Sequence, residues 1–306
     1  QVLPSLNPSN PNGQVRDITA VNGSVVLGGF TTGATGNDIG TTWSASGLVS
    51  GHGNLQPTES SIVHNVLSNG AIIGTQSNER PGVGVLSGQL QNLPSVATFG
   101  TAQGGTPDGR LIVGADGFGV GVWRSDDPLS LDYQLDNISF QLAPDGSSPA
   151  IFRHVFASPE FGEVALSNYL DTNLFVQAVG AWDLQTGGFL GTIGYGELMD
   201  AQMFGDTLVL GINDPVTGGY LTTLDRPDVS VSLASLFPEE MGLSSVTLAR
   251  GGLFEGSLGF FALSDGPNGP VFATTSFETN AVPEPSSFVL MTVAGLSLLA
   301  SRRRRV

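Results

Sequence analysis

"PDGRLIVGADGFGVGVWR" (107–124) carries two apolar runs, each entered from a glycine-bearing turn. Asp108-Gly109 is a strong hairpin dipeptide, because the glycine accepts the positive φ that a tight turn needs. "LIVG" does not alternate between apolar and polar, as expected of a strand covered on both faces. The second run ends on Trp123. Turn, buried strand, polar turn and aromatic-bearing strand make one repeating unit, and the rest of the chain can be read against it.

Five further segments share this outline. The first runs are "GSVVLGGF" (23–30), "GAIIGTQ" (70–76), "GRLIVGAD" (109–116), "GEVALSNY" (162–169), "DTLVLGIN" (206–213) and "GSLGFFALSD" (256–265), with starts 47, 39, 53, 44 and 50 residues apart. The second runs begin near Gly40, Gly82, Gly119, Ala178, Gly218 and Gly269. Trp43, Trp123 and Trp182 fall at matching places in three of them, with Tyr220 and Phe272 close to that place in two more. A period of about 40–50 residues with several short strands suits a β-propeller blade. The sequence therefore predicts an all-β fold of six blades, or seven, with an irregular β-sandwich as the alternative. "QVLPSL" (1–6) resembles the close of a repeat, as "QLQNLP" (89–94) does, and is expected to complete the last blade. "NGSVVLGG" and "PDGRLIVGAD…GVGVWR" resemble the HAF-type repeats of bacterial extracellular proteins, and that resemblance implies a secreted propeller-like domain.

Composition narrows the function. Of 306 residues, 40% are hydrophobic and only 12% charged, so a substantial core is available. Glycine, at 43 residues, is about twice as common as usual and fits many tight turns. Every one of the 11 basic residues is Arg. Up to Asn280, seven Arg face 26 acids, a balance of −19, whereas the remaining tail carries +3. Such a body repels nucleic acid. The absence of Cys removes disulfides, thiolate nucleophiles and Cys-based zinc sites.

The end of the chain, "AVPEPSSFVLMTVAGLSLLASRRRRV" (281–306), differs from the rest. Residues 286–301 are uncharged, and sixteen helical residues span roughly 24 Å, a short membrane crossing. Arg302, Arg303, Arg304 and Arg305 follow, and the positive-inside rule keeps them cytoplasmic, placing the body outside. The arrangement resembles the PEP-CTERM sorting signal of Gram-negative bacteria, with Val282, Pro283, Glu284 and Pro285 at the motif. That resemblance implies export, transient residence in the inner membrane, and hand-over to an exosortase, a membrane transpeptidase. It also implies a cell-surface or extracellular setting alongside exopolysaccharide and biofilm formation. Export in turn implies a secretory signal removed ahead of Gln1. The expected organisation is a propeller over 1–276, a linker over 277–285, a transmembrane helix over 286–301 and a basic tail over 302–306.

No catalytic, cofactor or metal residues are assigned from the sequence. His52, in "SGHGN", is expected in an exposed loop. His64 and His154 lie in similar apolar contexts and are expected at equivalent places in two repeats rather than as a metal pair. There is no HExxH, no phosphate-binding loop with Lys and no G-x-S-x-G elbow. The neighbouring acids Asp126-Asp127 and Glu239-Glu240 read as solvated loops, since adjacent residues on a strand face opposite ways. "GADGFG" (114–119) and "APDGSSP" (143–149) are Asp-Gly turns that leave calcium as a possible ligand, without EF-hand spacing. The expected role is a non-enzymatic binding or structural protein, with extracellular polysaccharide or protein as partner. The alternative is a carbohydrate-active hydrolase or lyase on the same scaffold.

Overall fold

A computed structural model describes residues 3–7, 9, 12–33, 36–52, 60–76, 79–158, 162–204, 206–237, 246–253, 259–264 and 271–274. The chain divides into two compact units, Gln1–Glu197 and Leu198–Val306. In the first unit four sheets follow one another, each a four-stranded antiparallel meander. The first blade is β1 (Gly13–Val21), β2 (Ser24–Thr32), β3 (Asp38–Ser44) and β4 (Val49–Gly51). The second is β5 (Ile62–Val66), β6 (Ala71–Gln76), β7 (Arg80–Val85) and β8 (Gln91–Asn92). The third is β9 (Gly100–Gly105), β10 (Leu111–Asp116), β11 (Gly119–Arg124) and β12 (Gln134–Leu135). The fourth is β13 (Ile151–Ser158), β14 (Gly162–Asp171), β15 (Val176–Asp183) and β16 (Phe189–Tyr195). The second unit holds a further four-stranded blade, β17 (Glu197–Phe204), β18 (Thr207–Asp214), β19 (Gly218–Thr223) and β20 (Ser230–Ser232), and a sheet of β21 (Val246–Leu253), β22 (Gly259–Ser264) and β23 (Val271–Thr274). The fold is all-β, of β-propeller blades.

The apolar runs that define the repeat are the second strands of the sheets, and the aromatic-bearing runs are the third strands. The turns entering the second strands have the backbone the sequence demands. Asn22 and Gly23 both have positive φ, and so do Gly70, Gly109 and Gly162 at the corresponding turns. The second strands β6 and β10 are buried over four consecutive residues, because the core lies between successive blades. One cluster joins Val21, Val26, Val63, Val66 and Ile72 of blades one and two. The next surrounds Trp123 with Leu67, Ile73, Val83 and Ile112. A third packs Val113, Phe152, Ala165 and Trp182 between blades three and four.

The three tryptophans do occupy one place, and the structure gives the reason. Each is buried on a third strand, and each indole N–H donates to a carbonyl in the stretch leading into its own blade: Trp43 to Pro4 O at 2.7 Å, Trp123 to Pro94 O at 2.6 Å, Trp182 to Gln141 O at 2.9 Å. A buried indole needs such a partner.

Two expectations are corrected. Six complete blades were expected; five are four-stranded, and the last sheet has three strands among the described residues, with nothing described beyond Thr274. Residues 3–6 form no strand to complete that last blade; Pro4 instead receives the Trp43 indole, as Pro94 receives that of Trp123. The matching prolines explain why "QVLPSL" reads like "QLQNLP". No helix among the described residues is long and apolar enough to cross a membrane, and residues 286–301 lie outside them.

The first strands of all four blades in the first unit break register once, by one residue. The bulged residues are Arg16, His64, Gln103 and Arg153. Opposite them on the second strands sit Gly29, Gly74, Gly114 and Ser167. A Cβ on Gly29, Gly74 or Gly114 would lie 2.0, 1.9 or 1.9 Å from a first-strand carbonyl oxygen, so these backbones approach closely only because the residue is glycine. Gly114→Ala is therefore expected to destabilise the protein by about 1–3 kcal/mol. At Gly119 an added Cβ meets nothing nearer than 3.7 Å, so Gly119→Ala should leave thermal unfolding nearly unchanged. Paired melting curves check both.

Candidate functional site

An antiparallel meander sends its first strand away from one end of the blade and returns its second strand to it. The turns joining second and third strands, and the links between blades, therefore share one end, here called the head. The turns joining first to second and third to fourth strands form the foot. In the first unit the first strands β1, β5, β9 and β13 neighbour one another in sequence. Each bulged residue stands two or three positions in from the head end of its strand.

A bulge re-aims a side chain. Here it does so at the same place in four successive blades, and each time the residue is long and polar. His64 and Arg153 reach other strands through a hydrogen bond and an ion pair, and Gln103 bonds within its own strand. Thr75 Oγ1 donates to Thr101 Oγ1 at 2.7 Å, linking blade two to blade three. Thr75 has then used its only hydrogen, so the 2.9 Å contact with His64 Nε2 requires that nitrogen to donate. Gln103 Nε2 also donates to Thr101 Oγ1, at 2.9 Å. Arg153 Nη1 pairs with Glu197 Oε1 at 3.2 Å. The Arg16 guanidinium lies 5.6 Å from the centre of the Phe30 ring. All four bulged side chains are half-buried. The result is an arc of two guanidiniums, an imidazole and an amide, bordered by threonine hydroxyls. Such an arc supplies many N–H donors to a ligand rich in oxygen.

The histidines are placed differently from the sequence reading. His64 is the bulged residue of its strand, but His154 follows the bulged Arg153, so the two are offset by one and are not equivalent. His52 is buried rather than looped into solvent. Its Nδ1 lies 2.7 Å from Gly88 O and its Nε2 2.7 Å from Thr42 Oγ1. A carbonyl only accepts, so Nδ1 carries the proton and Nε2 accepts from Thr42. Burial lowers the His52 pKa, more than the Gly88 bond raises it. The flanking glycines of "SGHGN" suggest a loop locally, but the buried side chain pins the end of the first blade to the second.

The two Asp-Gly turns use their carboxylates within the protein. Asp116 accepts from Ser95 Oγ, from Val96 N at 3.0 Å and from Ala97 N at 3.3 Å, fixing the link into blade three. Asp145 accepts from Ser147 N, Ser147 Oγ, Thr172 N and Thr172 Oγ1. Those bonds, led by the one from Thr172 N, hold its pKa down to about 2. Asp126 and Asp127 are exposed beside a single helical turn, Pro128–Ser130. Glu239 and Glu240 lie outside the described residues, as do Val282, Pro283, Glu284, Pro285 and Arg302 to Arg305. Among the described residues no group of three or more His, Cys, Asp and Glu side chains is placed to hold a metal ion.

Sequence reasoning missed Asp17, the residue after the first bulge. It is buried, and its Oδ2 accepts from Val66 N at 2.7 Å across to blade two. Burial raises its pKa from 3.8 to about 6, against the lowering effect of its backbone bonds to Val66 and Ile18. The unfolded chain gives up this proton near pH 3.8 while the folded chain keeps it to about pH 6. Asp17 thus contributes stability that is full below pH 3.8 and lost as pH rises through 6, about 3 kcal/mol in all. An asparagine in its place keeps an acceptor oxygen and never ionises. Asp17→Asn is expected to raise stability at pH 7–8 and to flatten the change between pH 4 and 6, as read by urea unfolding across that range.

No family model matches the chain, and no curated protein matches it. Several solved structures are similar. The Dos1 propeller is 12% identical with a TM-score of 0.48, covering 88% of this chain and 74% of its own. Puromycin hydrolase is 13% identical with a TM-score of 0.46, covering 87% and 47%. A putative gluconolactonase is 13% identical with a TM-score of 0.42, covering 90% and 96%. Likeness at this level describes chain path and carries nothing about activity.

Proposed function

We propose that this chain is an exported, exosortase-sorted protein whose propeller blades bind extracellular polysaccharide in a matrix or at the cell surface. The observation that carries the binding role is the arc of Arg16, His64, Gln103 and Arg153. One register place in four consecutive blades presents hydrogen-bonding side chains near the head. A bulge weakens pairing locally, and its repetition with long polar residues is what a recognition surface needs. Glu197, the acid that meets this arc, is committed to Arg153 as an ion pair, which suits holding a ligand rather than proton transfer. The polyhydroxylated character of a glycan matches an arc rich in donors.

The address rests on sequence alone. Val282, Pro283, Glu284 and Pro285 would be recognised by the exosortase, the apolar 286–301 would hold the chain in the inner membrane, and Arg302 to Arg305 would fix its orientation.

Two measurements test these parts separately. Replacing Pro283, Glu284 and Pro285 with Ala should leave the full-length species in the membrane fraction of an exosortase-bearing host; unchanged processing would sink the sorting reading. In the purified chain, His64→Ala with Gln103→Ala should weaken retention on extracellular polysaccharide about tenfold, at the scale of one or two lost hydrogen bonds. Retention equal to wild type would remove the arc from the site.

A further inference from the structure

Turns joining second to third strands carry a feature the arc does not use. Each of β10, β14 and β18 ends on an aspartate, and each turn that follows exposes a large apolar residue. Phe118 is 99% exposed, Phe175 82% and Val216 89%. Such residues are ordinary on a surface when they occur singly; the corresponding turn in consecutive blades is not.

These tips are held rigidly. Gly117 N donates to Phe99 O at 2.8 Å, and the Phe99 ring meets Phe118 edge-on with centroids 5.0 Å apart. Asp116 fixes the adjoining Ser95, Val96 and Ala97, and Val96 is itself 90% exposed. In the next blade Asp171 Oδ1 accepts from Asn173 N at 2.9 Å and Leu174 N at 3.1 Å, and Phe175 is held at φ 55°. A bulky residue in the left-handed region is strained, and strain kept at an exposed turn points to use. In the second unit Asp214 Oδ1 accepts from Val216 N and Thr217 N at 2.8 and 2.7 Å.

We infer that Phe118 and Phe175 are stacking platforms for two rings of one uncharged polysaccharide chain, a deepening that rests on the polysaccharide-binding reading above. Three observations select this ligand. Phe118 stands on a short turn between Gly117 and Gly119, and both rings are almost fully exposed, so a ring face is open to a flat partner. A pyranose offers such a partner in its apolar C–H face, whereas a peptide anchor needs a pocket to fill. The two platforms stand on consecutive blades, which suits a ligand that is itself a repeating polymer and gains by binding at two places. The body's −19 balance and its head aspartates disfavour a polyanion or an anionic membrane.

The full chain is run by affinity electrophoresis through gels containing hydroxyethyl cellulose, dextran or galactomannan, and through polygalacturonate as the polyanion. Phosphatidylcholine vesicles and sedimentation velocity cover insertion and self-association. The expected result is retardation by at least one neutral glycan. Phe118→Ala should weaken it about tenfold, the order of one aromatic contact. Phe175→Ala should do likewise, the double variant should lose more than either, and Phe118→Trp should restore binding. Both rings are exposed, so equal melting temperatures would confirm that the variants fold. Neutral-glycan binding that survives the double variant but falls with His64→Ala and Gln103→Ala overturns the platforms and leaves the polysaccharide reading standing. Preference for polygalacturonate, or tip-dependent binding to vesicles or a second copy alone, overturns the uncharged-glycan assignment. Retention by no glycan overturns both readings.

Discussion

Three of the four blades in the first unit are organised by a single close approach, the bulged first strand lying against a glycine of the second; in the fourth, Ser167 stands at that place. At Gly29, Gly74 and Gly114 there is no room for a Cβ, and the added residue opposite is forced out of the ladder. The register on either side follows from that point, and so does burial. Past the bulge the second strand can be apolar on both faces, as "AIIG" and "LIVG" are, because neighbouring blades cover both. The glycines that look like mere turn formers in "LGGF" and "IVGAD" are therefore packing residues in mid-strand, which β-propensity alone would disfavour.

The same approach explains the distribution of chemistry. A regular strand would alternate its side chains between two buried faces and leave no position for Arg16 or Arg153. The bulge provides one per blade. Its neighbour is less favourably placed: Asp17 is carried into the core between two blades, where it holds the Val66 N–H but is penalised for charge. At Gly104 the equivalent place is occupied by a residue with no side chain, and an added Cβ there would lie 2.2 Å from Arg153 O. The residue after the bulge thus meets the next blade directly, and its identity is set by what that blade brings.

Much of the fold was legible because second strands and their entry turns are dictated locally. Asn22-Gly23, Asn69-Gly70 and Asp108-Gly109 announce hairpins by backbone preference alone. First strands were not legible, since a bulge shifts the side-chain period by one and mixes apolar with charged residues, as in "QVRDI". That shift is also why His64 and His154 look equivalent in sequence and are offset in space. His52 was misread because its neighbours are glycines, while its burial depends on Thr42 and Gly88, ten and 36 residues away. The apolar tips had a signal that went unused: an aspartate closing an apolar run, followed within four residues by Phe or Val inside the turn.

The two ends of the blades are built for different work, and the hydrogen bonds show it. At the foot the turns bind one another: Ser68 Oγ and Asn69 N donate to Pro107 O, and Asn69 Nδ2 donates to Asp108 O. Their polar groups are spent on joining blade two to blade three, and Gly109 lets them approach, since a Cβ there would meet the Asn69 amide at 2.5 Å. At the head of the first unit the aspartates Asp116 and Asp171 instead bind backbone within their own blade or the link into it. The Asp116 and Asp171 turns are thereby held through their own blade or its link, and their tips stay open. A surface that is both fixed and unoccupied loses little entropy when a ligand arrives. The foot therefore serves cohesion, and the head is the end at which evolution could place and vary contacts without loosening the blades.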